Sequence, residues 1–230
     1  MKICVVHSKR TRESAEALSL ALDARRHNPY SIRHKGNYDL VFNYGYAGGD
    51  LQHLSKNIIN PPEGVLNSIN KIATYKKLKE SKVPTCNYVL DQKDVPKSWT
   101  WAVCRETVVG SNCEGVTITR PYDLIPNCPL YTEFFKHDAE YRMVVYKDRV
   151  LGRYRKCNLH EGNFDLEYML AQGFEALDES AINAVKAVGL DYAGVDVLCQ
   201  EKTGKHIVLE VNSGPLLMDE VCNKLVKLLK

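Results

Sequence analysis

Residues 191–212, DYAGVDVLCQEKTGKHIVLEVN, constrain the fold of this chain more than any other stretch. They read as two buried strands joined by the turn signal Glu201-Lys202-Thr203-Gly204. The first strand, 193–199, is apolar except for Asp196, and the second, 207–211, carries Glu210 and runs into Asn212. A carboxylate inside an apolar strand is costly to desolvate unless something compensates it. Glu210 and Asn212 alternate at i and i+2 and so share a strand face. Any one of the three alone would read as a strand-end or turn residue. Together their oxygens suit a hard cation such as Mg²⁺, which keeps waters and takes further ligands from phosphates. The stretch predicts a metal–nucleotide site.

At 230 residues with 44% hydrophobic content, the chain can bury one large core or two modest ones. A formal net charge of +3 is too mild to indicate a nucleic-acid binder. The eight cysteines, at 4, 86, 104, 113, 128, 157, 199 and 222, contain no CxxC, and several lie in apolar runs. They read as buried thiols of a reducing compartment, not as a disulfide framework or zinc site. Met1 leads straight into a strand-like run without a signal-peptide pattern. No apolar run approaches the roughly 18 residues of a membrane span. The expectation is a soluble cytoplasmic protein with no membrane partner.

Strands are expected at 2–7 and 39–43, with a helix over 12–26 between them, which makes a small parallel α/β unit. The loop Tyr44-Gly45-Tyr46-Ala47-Gly48-Gly49-Asp50 reads as a simple loop, since it lacks GxGxxG and no apolar helix clearly follows. Residues 60–64, NPPEG, are the strongest linker signal. The predicted domains are 1–63, 64–134 and 135–230. Further expectations are a helix over 67–82 and strands at 86–90, 101–109, 130–135 and 140–146. The last of these forms a hairpin with 150–156 through Asp148. Residues 161–172 resist assignment. A helix over 179–188 stops at Gly189, and another begins near Met218 with Val221, Leu225 and Leu228 on one face.

In this order the elements resemble the ATP-grasp superfamily, and most of all its RimK-like carboxylate–amine ligases of compact, phage-type form, over about residues 65–217. The fold implied is α/β (α+β ATP-grasp): a small N-terminal parallel α/β unit followed by two α+β subdomains gripping ATP. LNSINKIATYKKLKESKVPT resembles the family segment that places a phosphate-contacting lysine at Lys71, with Thr74, Leu78 and Pro84 as structural markers. WAVCRETVV followed by GSNCEGV resembles the phosphate-side strand and the glycine-rich lid, giving nucleotide contacts at Arg105, Gly110, Ser111 and Gly115. Arg105 replaces the usual lysine, and its bidentate fork keeps the charge and suits phosphate oxygens. Cys113 and Glu114 thin the glycine loop, and Glu114 is expected to point away from the triphosphate or to act on the amine.

LYTEFF resembles the hinge that holds adenine, implying Glu133 for the amino group, Phe134 and Phe135 as apolar walls, and Glu140 for the ribose hydroxyls. Arg142 resembles the position near the terminal phosphate or acyl group. Alternation puts Arg153 and Arg155 on one strand face and Lys156 on the other. One of Arg155 and Lys156 is expected to serve the transferred phosphoryl, and the sequence does not choose between them. Asp196, Glu210 and Asn212 match the metal ligands of the family, while Ser213-Gly214-Pro215 departs from the usual residue order after them.

The resemblance implies ATP and Mg²⁺, with Mn²⁺ as a possible substitute, and activation of a carboxylate to an acylphosphate that an amine then attacks. A kinase on the same fold and a non-catalytic nucleotide-binding protein are the alternatives. Expected partners are small-molecule or peptide carboxylates and amines. Nucleic acid is not indicated, and a modified nucleotide stays among the open acceptors.

Overall fold

The computed structural model describes residues 1–27, 36–109, 114–160, 163–170 and 173–230. The first sheet is parallel, built from β1 (Ile3–His7), β2 (Arg25–His27), β3 (Leu40–Tyr44) and β4 (Ile58–Ile59) in the order β2-β1-β3-β4. Every residue of β1 and β3 is buried, because both faces of this sheet are covered. Ile3, Val5, Leu40 and Phe42 pack towards helix α1 (Arg12–Leu22), while Cys4, Val6 and Val41 pack against Tyr38, Leu51 and Leu54. The helix expected to reach residue 26 ends at Leu22. Asp23 adopts the left-handed conformation, φ 51°, and its N–H bonds back to Leu20, which frees residues 25–27 to pair with β1.

Residues 60–64, which read as a linker, are instead a rigid joint. Asn60 is fully buried at φ 60°, a conformation that asparagine tolerates better than most residues. Its side-chain amide donates to Tyr192 O at 2.8 Å, and its Oδ1 accepts from Asp191 N and Tyr192 N. Asn43 donates to Asn60 O at 2.9 Å. The first sheet is thereby clamped to the C-terminal half of the chain. Helix α2 (Pro62–Ile69) follows at once, with proline in its first turn, where a missing N–H is harmless. The single helix expected over 67–82 is broken at Asn70, which leaves helical geometry to cap α3 (Lys71–Glu80) by accepting from Ile72 N and Ala73 N.

The second sheet is antiparallel, in the order β5-β8-β6-β7, from β5 (Tyr88–Val89), β6 (Ala102–Arg105), β7 (Val116–Thr119) and β8 (Leu130–Glu133). Its own small core holds Val95, Trp99, Ala102, Cys104, Cys128 and Tyr131.

The third sheet, order β11-β10-β9-β12-β13, is antiparallel and consists of β9 (Ala139–Tyr146), β10 (Arg149–His160), β11 (Asn163–Tyr168), β12 (Tyr192–Gln200) and β13 (Lys205–Asn212). Strand β11 occupies part of the stretch that the sequence left unassigned. Side chains alternate along these strands. Tyr141, Met143, Val145, Val195 and Val197 face helix α4 (Glu175–Val188) together with Val65 of α2 and Leu78 of α3. Val144, Tyr146, Tyr154 and Tyr192 face the other way, into one core with the first sheet, α1 and α5 (Asp219–Leu229). The segment expected to stand apart as residues 1–63 thus shares a core with the last strands of the chain. No helix among the described residues is long and apolar enough to cross a membrane.

Candidate active site

The charges of the third sheet sit where the face shared with the first sheet passes beyond it. Arg142 of β9 lies directly opposite Asp196 of β12, and Asp196 lies opposite Glu210 of β13. Directly opposed residues of antiparallel strands project to the same side, so the three form one row. Arg142 grips Asp196 with two bonds, Nε to Oδ1 and Nη2 to Oδ2, both 2.8 Å. Lys156 of β10 donates to Asp196 Oδ2 at 2.8 Å and also to Glu140. Lys71, the first residue of α3, pairs with Glu210 Oε1 at 3.0 Å, and its backbone N–H is anchored on Val108 O.

Asp196 is 2% exposed. Burial pushes its pKa up, but Arg142 and then Lys156 outweigh burial, and the net shift is downward, so the carboxylate stays ionised. Arg142 shows the mirror image: burial works against its charge, Asp196 restores it, and its pKa rises.

Alternation decides between the two basic residues that the sequence left open. Lys156 belongs to the row of charges. Arg155 projects from the opposite face, where its guanidinium meets Glu201 at 3.1 Å and Tyr141 donates to the same carboxylate. Arg153, on that face too, binds Asp178 of α4, Nε to Oδ1 at 2.8 Å. Arg155 is therefore corrected from a site residue to a cation of the α4 face, because strand geometry sends it away from Asp196.

Arg105 lies at the end of β6 and is 9% exposed, and its buried Nε has no hydrogen-bond partner among the described residues. A buried guanidinium donor left unsatisfied is unfavourable in the free protein and fits an anion still to come. Burial and then Cys86 push the pKa of the Tyr75 hydroxyl on α3 well up, while Arg105 works against that rise and Glu210 adds to it.

Glu133, Phe134 and Phe135 line one cleft of about 220 Å³ with Asn87, Gln200 and Lys205. Asn87 donates to Glu133 Oε2 at 2.8 Å, and Lys205 Nζ stands 5.9 Å from the centre of the Phe135 ring. The cleft mixes apolar walls from Cys86, Phe134, Phe135 and Ile207 with polar side chains, among them the acceptor Glu133, which suits a flat base with an exocyclic amine. Glu140 lies off that cleft, engaged with Lys156. Gly115 closes the β6–β7 turn at φ 63°, and its carbonyl accepts from Glu106 N, which is reason enough for glycine there. Glu114 is exposed, as expected. Gly110 and Ser111 lie outside the described residues.

A second, larger cleft of about 510 Å³ opens beside Glu210 and Asn212. Its other walls come from residues that the sequence reading passed over: Ser8, Lys9, Arg10 and Thr11 after β1, Gly45 after β3, and Ile69 and Val109 opposite. The strand order β2-β1-β3-β4 places it outside the carboxyl ends of β1 and β3, where the chain reverses its direction of travel across the sheet. Ligands of open parallel α/β sheets bind at such switch points. That rule was the available signal, because the unit of β1, α1 and β3 was legible and the basic loop follows its first strand.

The all-oxygen donor set of Asp196, Glu210 and Asn212 fits Mg²⁺ in chemistry. Asp196 Oδ1 accepts one bond and Oδ2 two, so Oδ1 keeps an acceptor direction. Among the described residues no group of three His, Cys, Asp or Glu side chains is arranged to hold a metal. An ion here would rest on two carboxylates, one amide and oxygens that the protein does not supply.

Residues 130–226 match the profile of the RimK-like ATP-grasp domain. The chain is 26% identical to human N-acetylaspartylglutamate synthase A, over 75% of this chain and 51% of that protein. It is 25% identical to zebrafish β-citrylglutamate synthase B, over 75% of this chain and 49% of that protein. It thus spans about half the length of these curated relatives. In three dimensions it resembles the ATP-grasp ligase PsnB bound to a minimal precursor, Mg and ADP, with TM-score 0.74 and 14% identity over 99% of this chain and 96% of PsnB. The D-alanine–D-alanine ligase of Bacillus anthracis gives TM-score 0.68 and 14% identity, over 95% of this chain and 88% of that one.

Proposed function

We propose that this chain, which has the ATP-grasp fold and a match to the RimK-like ATP-grasp domain over residues 130–226, is an ATP-dependent carboxylate–amine ligase acting through an acylphosphate. The observation that carries this reading is the row Lys156, Arg142, Asp196 and Glu210, together with a buried Arg105 at the end of β6 whose Nε has no hydrogen-bond partner among the described residues. It is a cradle with more positive charge than its carboxylates consume.

In this reading the base of ATP enters the cleft of Glu133, Phe134 and Phe135, and its phosphates run between the second and third sheets. Lys71 and Arg105 take phosphate oxygens. Lys71 can do so by exchanging its single bond to Glu210 for one to the nucleotide. Glu140 reaches the ribose only if Lys156 turns to the phosphoryl group. Asp196, Glu210 and Asn212 would hold Mg²⁺, or Mn²⁺ on the same oxygens, and the ion would supply neutralisation of the phosphate charge.

The acid lies in the larger cleft. Its carboxylate oxygen attacks the terminal phosphorus and ADP leaves. The amine nitrogen then attacks the acyl carbon, phosphate departs with the C–O bond electrons, and the nitrogen gives up a proton. Arg142 and Lys156 stabilise the charge that builds on the phosphoryl and acyl oxygens. Such a transfer needs positioning and charge neutralisation more than a protein nucleophile.

The test incubates the protein with ATP, Mg²⁺, pooled carboxylic acids and hydroxylamine, and measures ADP and hydroxamate together. Equal yields of both are expected. ADP accumulating with a stable phosphorylated product and no hydroxamate would instead mark a kinase.

A further inference from the structure

Asn212 is the last residue of β13, and the chain beyond it is held at three successive residues. Ser213 is buried, and its carbonyl accepts from the side-chain amide of Asn60 at 3.4 Å. Gly214 faces Thr11: a Cβ built on it would overlap the Thr11 methyl group and stand 3.3 Å from the Tyr44 ring. Pro215 accepts a hydrogen bond from the Tyr44 hydroxyl and lies over Gly194, where a Cβ would come within 2.8 Å of the proline ring. Gly194 is in turn the residue of β12 directly opposite Asn212. Thr11 cannot turn aside to make room. Its hydroxyl donates to Tyr44 O at 2.6 Å and accepts from Ser8 N at 3.2 Å, which fixes a side chain already stiff through its branched Cβ. The same methyl group closes on Gly45, where a Cβ would lie 3.2 Å away. It is a key between two glycines, one after β3 and one after β13.

Resting on the metal part of the ligase reading, we infer that Thr11 and Gly214 are positioning residues for Asn212, and that the first sheet sets the place of this ligand through them. Asp196 and Glu210 are held by their own side-chain pairs with Arg142, Lys156 and Lys71. The Asn212 side chain makes no hydrogen bond to any described residue, so its place depends on the backbone that carries it. A larger residue at 214 has to move that backbone. Pro215, held by Tyr44 on one side and resting on Gly194 on the other, passes the movement back to Asn212. The departure of Ser213-Gly214-Pro215 from the usual residue order thereby acquires a reason: the residue without a side chain is the one that meets Thr11. Groups that orient a metal ligand without touching the ion are each worth about 10–100-fold in metal affinity.

The test is calorimetric titration of the full chain with a non-hydrolysable ATP analogue, with Mg²⁺ and without it. The gain in affinity that Mg²⁺ confers measures how well the protein's own ligands hold the ion, since the Mg–analogue complex in solution is common to all variants. Gly214→Ala should reduce that gain about tenfold or more and leave the metal-free affinity within about twofold. Thr11→Ser deletes the methyl group and keeps the hydroxyl, so the gain in Thr11→Ser/Gly214→Ala should return to within about threefold of that in Thr11→Ser. Asn212→Ala should lose the gain as Gly214→Ala does, and adding Gly214→Ala to it should cost nothing further, because both act on one ligand. Tyr44→Phe frees Pro215 without adding an atom and should lower the gain about threefold, the size of one hydrogen bond. That variant decides the matter if Gly214→Ala does not fold. Full gain in Gly214→Ala, no recovery with Thr11→Ser, or losses that add with Asn212→Ala would overturn the inference. So would an unchanged gain in Tyr44→Phe where Gly214→Ala does not fold. No gain from Mg²⁺ in the unsubstituted protein, or full gain in Asn212→Ala, would overturn the metal assignment and the inference with it. A kinase outcome in the hydroxylamine assay would remove the ligase reading and leave the positioning of Asn212 standing.

Discussion

The two faces of the five-stranded sheet carry comparable charge and use it differently. Against α4, Arg153 meets Asp178 and Arg155 meets Glu201, each cation with a carboxylate that balances it. On the other face Asp196 holds Arg142 and shares Lys156 with Glu140, Glu210 pairs with Lys71, and Arg105, from β6 of the second sheet, adds a buried Nε without a hydrogen-bond partner among the described residues. Balanced pairs fasten a helix or a turn to a sheet. An excess of buried cations is unfavourable in the free protein and only makes sense if anions arrive. The difference between the faces, and not the number of basic residues, separates scaffold from site.

The largest effect should come from removing the anion that holds the site together. Asp196→Asn takes away the buried carboxylate that Arg142 and Lys156 share, leaving Glu140 on Lys156, and should lower stability by about 3–5 kcal/mol in urea unfolding. Glu210→Gln, at a half-buried pair with a single bond, should change stability by about 1 kcal/mol or less while ADP release collapses. Equal stability of the two variants would remove the distinction between them. The pH dependence follows the same logic. The net shift of Asp196 is downward, so its pairing contributes fully above the ordinary carboxylate pKa and is lost as the pH falls through the depressed value. Unfolding measured from neutral to acid pH should show that late loss in the native protein and not in Asp196→Asn.

Next in size is the contrast between neighbours on β10. Lys156→Ala should reduce turnover about 100-fold or more, the usual effect of deleting one charge-stabilising donor. Arg155→Ala, one residue away on the other face, should leave turnover within about twofold and lower stability by roughly 1 kcal/mol at most, since its partner Glu201 is well exposed. A loss of turnover in Arg155→Ala comparable to that in Lys156→Ala would mean that the faces are not functionally separate. The smallest effect concerns the base cleft. Glu133→Gln keeps an acceptor beside Asn87 and should raise the KM for ATP by about tenfold or less, with kcat nearly unchanged.

Much of the third sheet was legible because its chemistry and its period agree. Asp196 in an apolar strand and Glu210 and Asn212 at i and i+2 announced their strands, their shared face and the oxygen chemistry together. The break at Asn70 was not legible, since the flanking residues are good helix formers and the cap competes only locally with the helix. The end of α1 at Leu22 was hidden for a similar reason: Asp23, not glycine, takes the left-handed position. The linker reading of residues 60–64 failed because Asn and Pro mark turns of every kind, and burial of Asn60 depends on strand β12, more than 100 residues later in the chain. The larger cleft is not legible in the sequence because its walls come from five separate segments.

Sequence by itself determined most of the longer strands and helices, the alternation that sets Lys156 apart from Arg155, and the set of groups able to meet a nucleotide and a metal. Those are local properties, fixed by side-chain chemistry and by the two-residue repeat of a strand. Only the tertiary structure decided which face of β10 looks onto Asp196, that Asn60 is a joint, and that Thr11 packs against the loop after Asn212. These depend on contacts between segments distant in the chain, which burial and packing select and no local pattern encodes.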